Sequence, residues 1–206
     1  MLTEIIPNHI IQIFLGEEED IVDYPNFQAN KVFWQDYCKQ YDLKYIWITK
    51  DNIGLYLGEY SNFYYNLRYT WNRIDFARYI VLNKEGGIYV DLDIAPNFDT
   101  DIKYLLDKNI ILNKWYDPKK KRYELNNALM GIRPGFFFDL IKYSVDEYNK
   151  RVNNITYKCW KIRFMMHTTG TRMFKRWCLK HKLDYTDEIH HYVTDYQHCS
   201  WIKNFH

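Results

Sequence analysis

Residues 71 to 90 constrain the fold more tightly than any other stretch of this 206-residue chain. Ile74, Ala77, Val81 and Leu82 recur at i, i+3, i+7 and i+8, which predicts a helix over 71–85 with an apolar face. Gly86-Gly87 stops it, because glycine suits the left-handed position after a helix C-terminus. Ile88-Tyr89-Val90 follows with no spacer and reads as a short buried strand. A helix returned through a tight glycine turn straight into a strand is the repeating half-unit of an α/β domain.

The rest of the chain continues the alternation. Ile5-Ile6 and then His9 to Leu15 read as a first strand closed by Gly16, followed by an acidic solvated loop, Glu17 to Asp20. Asn26 to Tyr41 reads as a helix, with Phe27, Val32, Phe33 and Tyr37 apolar, and Tyr45 to Ile48 as a second strand ended by Thr49 to Asn52. Ile110 to Leu112 and Ala128 to Met130 read as strands around a charged turn, Asp117-Pro118-Lys119-Lys120. Phe136 to Val152 and Thr171 to Lys182 read as helices, and the tail from Ile189 to Trp201 as short strands or loop. No repeat, low-complexity segment or linker interrupts the order, so a single domain over 1–206 is expected. The expected class is α/β, with a Rossmann-like, mostly parallel central sheet flanked by helices. Ligands of such sheets sit beyond the carboxyl ends of the strands, at a switch point in strand order.

Composition narrows the function. A formal charge of +2 supplies no strong field for nucleic acid or an anionic membrane, so neither is an expected partner. Aromatic residues make up 19%, which suits a protein that binds flat or ring-shaped ligands and equally suits a core filled with aromatics. The four cysteines, Cys38, Cys159, Cys178 and Cys199, form no CxxC pair, which argues against a zinc site and for a reducing compartment. No apolar run approaches the roughly 18 residues of a membrane span, and charged Glu4 follows Met1 too closely for a signal peptide. A soluble, cytoplasmic protein is expected, bacterial or viral, or one domain of a longer chain.

The chemistry concentrates where the strand Ile88–Val90 ends. Asp91 and Asp93 flank Leu92. On a regular strand, side chains at i and i+2 share a face, with Cβ atoms roughly 6.5 to 7 Å apart. One acid is then placed to ligate a divalent cation and the other to hold a water of its shell or a ligand hydroxyl. Hard oxygen ligands suit Mg²⁺ or Mn²⁺, which usually keep substrate phosphates as partners. Two loop acids capping the next turn would give the same pattern. On the preceding helix, Asp75 and Arg78 stand at i, i+3 and can flank the same cleft, or form a plain salt bridge.

Here a family resemblance becomes specific. Asp75-Phe76-Ala77-Arg78-Tyr79-Ile80-Val81-Leu82, followed by Glu85-Gly86-Gly87-Ile88-Tyr89-Val90-Asp91-Leu92-Asp93, resembles the core signature of the DXD sugar transferases. That family includes fungal outer-chain mannosyltransferases, capsular-polysaccharide transferases and, more distantly, the large clostridial glucosylating toxins. Ile6-Pro7 with Gln12-Ile13-Phe14-Leu15-Gly16 is similar to the family's first strand, usually Ile-Pro-x-x-x-His-Gln-Ile-Trp, with Ile11 in place of His and Phe14 in place of Trp. Asn127-Ala128 through Pro134-Gly135, Thr169-Gly170 and His198-Cys199-Ser200-Trp201 match later segments.

The resemblance implies a GT-A fold, a UDP- or GDP-sugar donor, a glycan acceptor, Mn²⁺ or Mg²⁺, and retention of anomeric configuration. By the same resemblance, Asp75 and Arg78 contact the donor sugar and its phosphates. Asp91 holds ribose or a metal-bound water, Asp93 ligates the metal, and Asn127 lies near the transferred sugar. Gln12, Phe14 and Tyr89 complete the donor-binding set. His198 is the candidate second protein ligand to the metal, or else a surface histidine of a tail that also holds His190 and His191. Trp201 closes over the diphosphate or anchors the tail in the core. Two other readings compete. The aspartate-nucleophile phosphatases also place DxD after a buried strand, but need Thr or Val where this chain has Ala95. A nucleic-acid-binding module would use Lys119-Lys120-Lys121-Arg122, against the near-neutral charge.

Overall fold

The structure is a computed structural model that describes residues 5–16, 25–117, 121–154, 161–184 and 186–195. Five strands form the central sheet in the order β2-β1-β3-β6-β5. These are β1 (His9–Ile13), β2 (Lys44–Ile48), β3 (Gly87–Val90), β5 (Ile110–Asp117) and β6 (Arg122–Ile132). The half that carries β2, β1 and β3 is parallel, and β6 and β5 join it antiparallel. The β5–β6 pair is antiparallel because only residues 118–121 separate the two strands in sequence, too few for a parallel crossover. β4 (Ile94–Pro96) and β7 (Val193–Asp195) form a separate two-stranded ladder.

Helices cover both faces. Alternation along the strands divides the core cleanly: Ile11, Ile13 and Tyr89 enter one cluster, and Ile10, Ile88 and Val90 enter the other. The first cluster is closed by α4 (Thr70–Glu85), α5 (Phe138–Val152), α6 (Lys161–Thr168) and α7 (Thr171–Lys180), with the short α2 (Gly54–Leu57) and α3 (Ser61–Tyr65). The second is closed by α1 (Pro25–Gln40), through Trp34 and Tyr37, and by 3₁₀ turns at Ile102–Leu105 and Asp187–His191. This is the α/β architecture expected. No helix among the described residues is long and apolar enough to cross a membrane.

Several elements differ from the reading of the sequence. α4 is buried nearly all round, not along one stripe: Phe76 to Leu82 are all buried, because the helix packs against both the sheet and α2 and α5. β5 and β6 run well past the apolar cores that signalled them, to Asp117 and from Arg122. Thr171 to Lys182 is helical only to Lys180. Among the cysteines, Cys38 and Cys178 are unbridged, and burial pushes both thiols up to about 12. Cys159 and Cys199 lie outside the described residues.

The Gly86-Gly87 turn behaves as its sequence implies. Gly86 N–H donates to Leu82 O at 2.8 Å with φ at +65°. Gly87 has φ at +97°, and a Cβ there would stand 2.7 Å from the His9 carbonyl oxygen. The pair is what allows β3 to leave α4 and seat against β1 without a connecting loop.

Candidate active site

A cavity of about 590 Å³ opens at the carboxyl ends of β1 and β3. Strand order reverses there, since the chain passes from β1 outward to β2 and returns across β1 to β3. Ile13, the last residue of β1, and Phe14 to Gly16 just past it form one wall. A single face of α4 forms another, with Thr70, Ile74 and Arg78 at i, i+4, i+8 and Trp71 and Asp75 one position on. Tyr89 and Asp91 to Asp93 come from β3 and the turn after it, and Asn127 from β6. Met165, Met166, Gly170 and Thr171 close the side made by α6 and α7.

Arg78 organises the polar half. Its side chain is 7% exposed, and Nη1 donates to the Asn127 carbonyl at 2.8 Å. The same nitrogen lies 3.2 and 3.4 Å from the Asp91 carboxylate oxygens, and Nη2 lies 3.3 Å from Asp75 Oδ1. The guanidinium rests over the Tyr89 ring at 4.8 Å, and Tyr89 O–H donates to Asp91 Oδ1 in a short hydrogen bond. Burial alone would weaken the charge, but Asp91 and Asp75 hold Arg78 firmly protonated.

Asp75 is the complementary case. Burial raises its carboxyl to about 6, against the opposing pull of Arg78 and of hydrogen bonds from Asn127 and Thr169. Asn127 Nδ2 donates to Asp75 Oδ1 at 3.0 Å and to the Tyr79 hydroxyl at 2.9 Å, while its Oδ1 accepts from Thr171 at 2.9 Å. Thr169 Oγ1 reaches Asp75 Oδ2 at 3.4 Å. The amide of Asn127 is therefore spent on positioning Asp75 and the α6–α7 turn. Asn72 adds a second tie, donating to Thr168 and Thr169 at 3.0 and 2.8 Å.

The two acids of the motif do not share a strand face. β3 ends at Val90; Asp91 N–H still pairs with Ala128 O at 2.7 Å, and Ile94 N–H then bonds Asp91 O at 3.1 Å. That bond closes a turn over 91–94, because the chain must leave the central sheet here to form β4 against β7. Asp91 and Asp93 nonetheless both line the cavity. α1 pins the turn from the other side of the sheet: Asn30 Nδ2 donates to Leu92 O at 2.8 Å, and Trp34 Nε1 to Ile94 O at 2.8 Å.

Of the residues singled out in the sequence, the structure brings Asp75, Arg78, Tyr89, Asp91, Asp93, Asn127 and Phe14 to this one cavity. Phe14 stacks on Trp47, with ring centroids 6.3 Å apart. Gln12 does not join them. It is fully buried on β1, accepts from the Tyr45 hydroxyl at 2.9 Å and is not among the cavity-lining residues. Its position follows from alternation, which turns it away from Ile11 and Ile13. His198 and Trp201 lie outside the described residues. The sequence reading missed Trp71, Ile74, Met165 and Thr171. For the first two the signal was present, one helical turn before Asp75 and Arg78.

Residues 21–111 match the model of the family described as "Glycosyltransferase sugar-binding region containing DXD motif", a span that includes Asp75, Arg78, Asp91 and Asp93. Among solved structures, the chain is similar to PaToxG glycosyltransferase at 16% identity and a TM-score of 0.46, covering 86% of this chain and 70% of that one. It is also similar to a glycosyltransferase involved in the glycosylation of the major capsid of PBCV-1, at 13% identity and a TM-score of 0.46, covering 69% of this chain and 67% of that one. No curated protein matches it. Over residues 21–111, which hold Asp75, Arg78, Asp91 and Asp93, this chain is thus similar to the DXD-containing sugar-binding region of the glycosyltransferases.

Proposed function

We propose that this protein transfers a sugar from a nucleotide-diphosphate donor, a UDP- or GDP-sugar, to a hydroxyl of a glycan, with retention at the anomeric carbon. One observation carries the reading. The Arg78 guanidinium stands between Asp75 and Asp91 at the strand-end cavity, charged and almost shut off from water. A preorganised cation in a water-poor site is what a departing diphosphate requires. The cavity volume is within the range of small-molecule sites.

A divalent cation, Mn²⁺ or Mg²⁺, fits the donors present. Asp93 is the proposed direct ligand. Asp91, whose oxygens already accept from Tyr89 and Arg78, suits a water of the ion's shell or a ribose hydroxyl. Among the described residues no group of three or more His, Cys, Asp and Glu could hold an ion unaided, so donor phosphates and water would complete the shell. His198 is the proposed second protein ligand, and Trp201 is proposed to close over the diphosphate. Bound there, the cation would act as a Lewis acid on the diphosphate.

Arg78 offsets the charge that develops on the leaving group. Asp75, oriented by Asn127 and Thr169, faces the donor sugar. No side chain is assigned as a covalent nucleophile, because Asp75 is already held by three partners. The acceptor hydroxyl attacks on the side the diphosphate leaves, and its proton passes to a donor phosphate oxygen. Trp71, Ile74 and Met165 line the cavity with apolar surface that limits water. A panel of nucleotide sugars tests the reading. One UDP- or GDP-sugar should raise the melting temperature and be slowly hydrolysed, both only with Mn²⁺ or Mg²⁺. No response across the panel would overturn it.

A further inference from the structure

The stretch from Lys161 to Lys182 holds seven of the chain's 28 Lys and Arg and none of its 26 Asp and Glu. With a whole-chain charge of +2, everything outside that stretch is net −5. Near-neutrality of the chain conceals a strong segregation of charge onto α6 and α7. α7 buries Met173, Phe174, Trp177 and Cys178 and leaves Arg172 and Lys180 exposed.

Several of the cations beside α7 share a single partner. One carboxylate, Glu147, is shared by Arg151, Arg176 and Lys150, at 2.8, 2.5 and 3.6 Å. His167 faces guanidinium nitrogens on both sides, with Arg172 Nη1 3.2 Å from Nε2 and Arg176 Nη1 3.1 Å from Nδ1. A neutral imidazole offers one acceptor nitrogen, so one of these contacts sets donor against donor. An anion drawn to the arginines would relieve it.

The β5–β6 hairpin extends the same surface. Val90 pairs with Leu129, so residues 122–128 run beyond the carboxyl end of β3, on the cavity side of the sheet. Glu124 joins hairpin to helix, bonding Arg122 at 3.0 Å and Lys175 at 2.9 Å. Tyr116 and Tyr123 are cross-strand partners with ring centroids 5.4 Å apart, 45% and 51% exposed. Lys121 and Arg122 are exposed beside them. Asn127 and Thr171, at the roots of these two elements, both line the cavity.

We propose that this face seats the acceptor and that the acceptor is an acidic glycan. Tyr116 and Tyr123 take the apolar faces of its sugar rings, and Arg172, Lys121 and Arg122 its carboxylates. The assignment rests on the glycosyltransferase reading of the adjoining cavity. Exposed aromatic rings set among cations favour a charged sugar over a lipid surface, which would call for a wider apolar patch.

The test uses the full chain with a hexamer of galacturonic acid as probe, beside neutral maltohexaose and anionic phospholipid vesicles. Calorimetry should show the acidic hexamer bound, more weakly as salt rises, with the neutral hexamer and the vesicles at least about tenfold weaker. Lys121→Glu and Arg172→Glu should each weaken the acidic hexamer about tenfold, and Tyr123→Ala about as much, with nucleoside-diphosphate affinity unchanged. Equal binding of both hexamers, preference for vesicles, absence of hexamer binding, or charge-reversed variants that bind normally would each overturn the proposal. Donor binding measured on the same samples separates the two readings. Metal-dependent donor binding without hexamer binding removes the acceptor assignment alone, whereas loss of both removes the transferase reading as well.

Discussion

Arg78 has more partners than a lysine could satisfy. Its fork meets Asn127 O, Asp91 and Asp75 at once, from a side chain only 7% exposed. Arg78→Lys keeps the charge and loses that planar geometry. Turnover should fall about a hundredfold and unfolding stability by about 2 kcal/mol, because buried acceptors lose their donors. Paired kinetic and urea-unfolding measurements check both effects, and a loss of stability at unchanged turnover would make the contact purely structural. Asp75 supplies a pH signature. Its folded-state carboxyl, raised by burial to about 6 from 3.8, binds its proton more tightly than in the unfolded chain. That contribution to stability is fully present below about pH 3.8 and is lost as pH rises through 6. Relative to Asp75→Asn, which has no such proton, the wild type should lose roughly 1–3 kcal/mol between pH 4 and pH 7 in chemical denaturation. A flat difference across that window would show that Asp75 is not buried as described.

Among the elements, α1 does more than cover the sheet. Asn30 and Trp34 hold the carbonyls of Leu92 and Ile94, and so fix the turn that presents Asp91 and Asp93. Asn30→Ala leaves a buried carbonyl unsatisfied and should cost about 1–3 kcal/mol. It should also weaken metal-dependent nucleotide binding, although Asn30 lines no part of the cavity; calorimetry on the folded variant checks this. That tie spans 62 residues of sequence and had no local signature. By contrast, α4, its glycine turn and β3 were legible because period, punctuation and strand composition agree there. α6 escaped notice because an eight-residue helix is too short to show a period. The outer hairpin escaped because Lys114 to Asp117 and Arg122 to Glu124 are polar or aromatic, so only the apolar inner ends of β5 and β6 signalled strand. Asp91 and Asp93 were found as a pair but given strand geometry, since the turn at 91–94 depends on β4 meeting β7 about a hundred residues away.

At the scale of the whole molecule, the sheet gathers the site from distant parts of the chain. β1 and β3 bring their carboxyl ends together at the reversal of strand order, and β6 and the α6–α7 turn lock Asp75 and Arg78 from the far side. The tail beyond Asp195 follows β7, which already pairs with β4. Removing residues 196–206 should therefore leave the cooperative unfolding of the remainder intact while weakening metal-dependent donor binding, and His198→Ala should do the same more mildly. A truncated chain that binds as tightly as the full one would assign the tail to packing alone. The central claim, that the acidic turn holds a nucleoside diphosphate through a divalent cation, is tested most directly by calorimetric titration of UDP and GDP into wild type and Asp93→Asn, with Mn²⁺ and with EDTA. The account predicts binding that wild type shows only with the metal, and an Asp93→Asn variant indifferent to it. Equal affinity of the wild type in both conditions would contradict it.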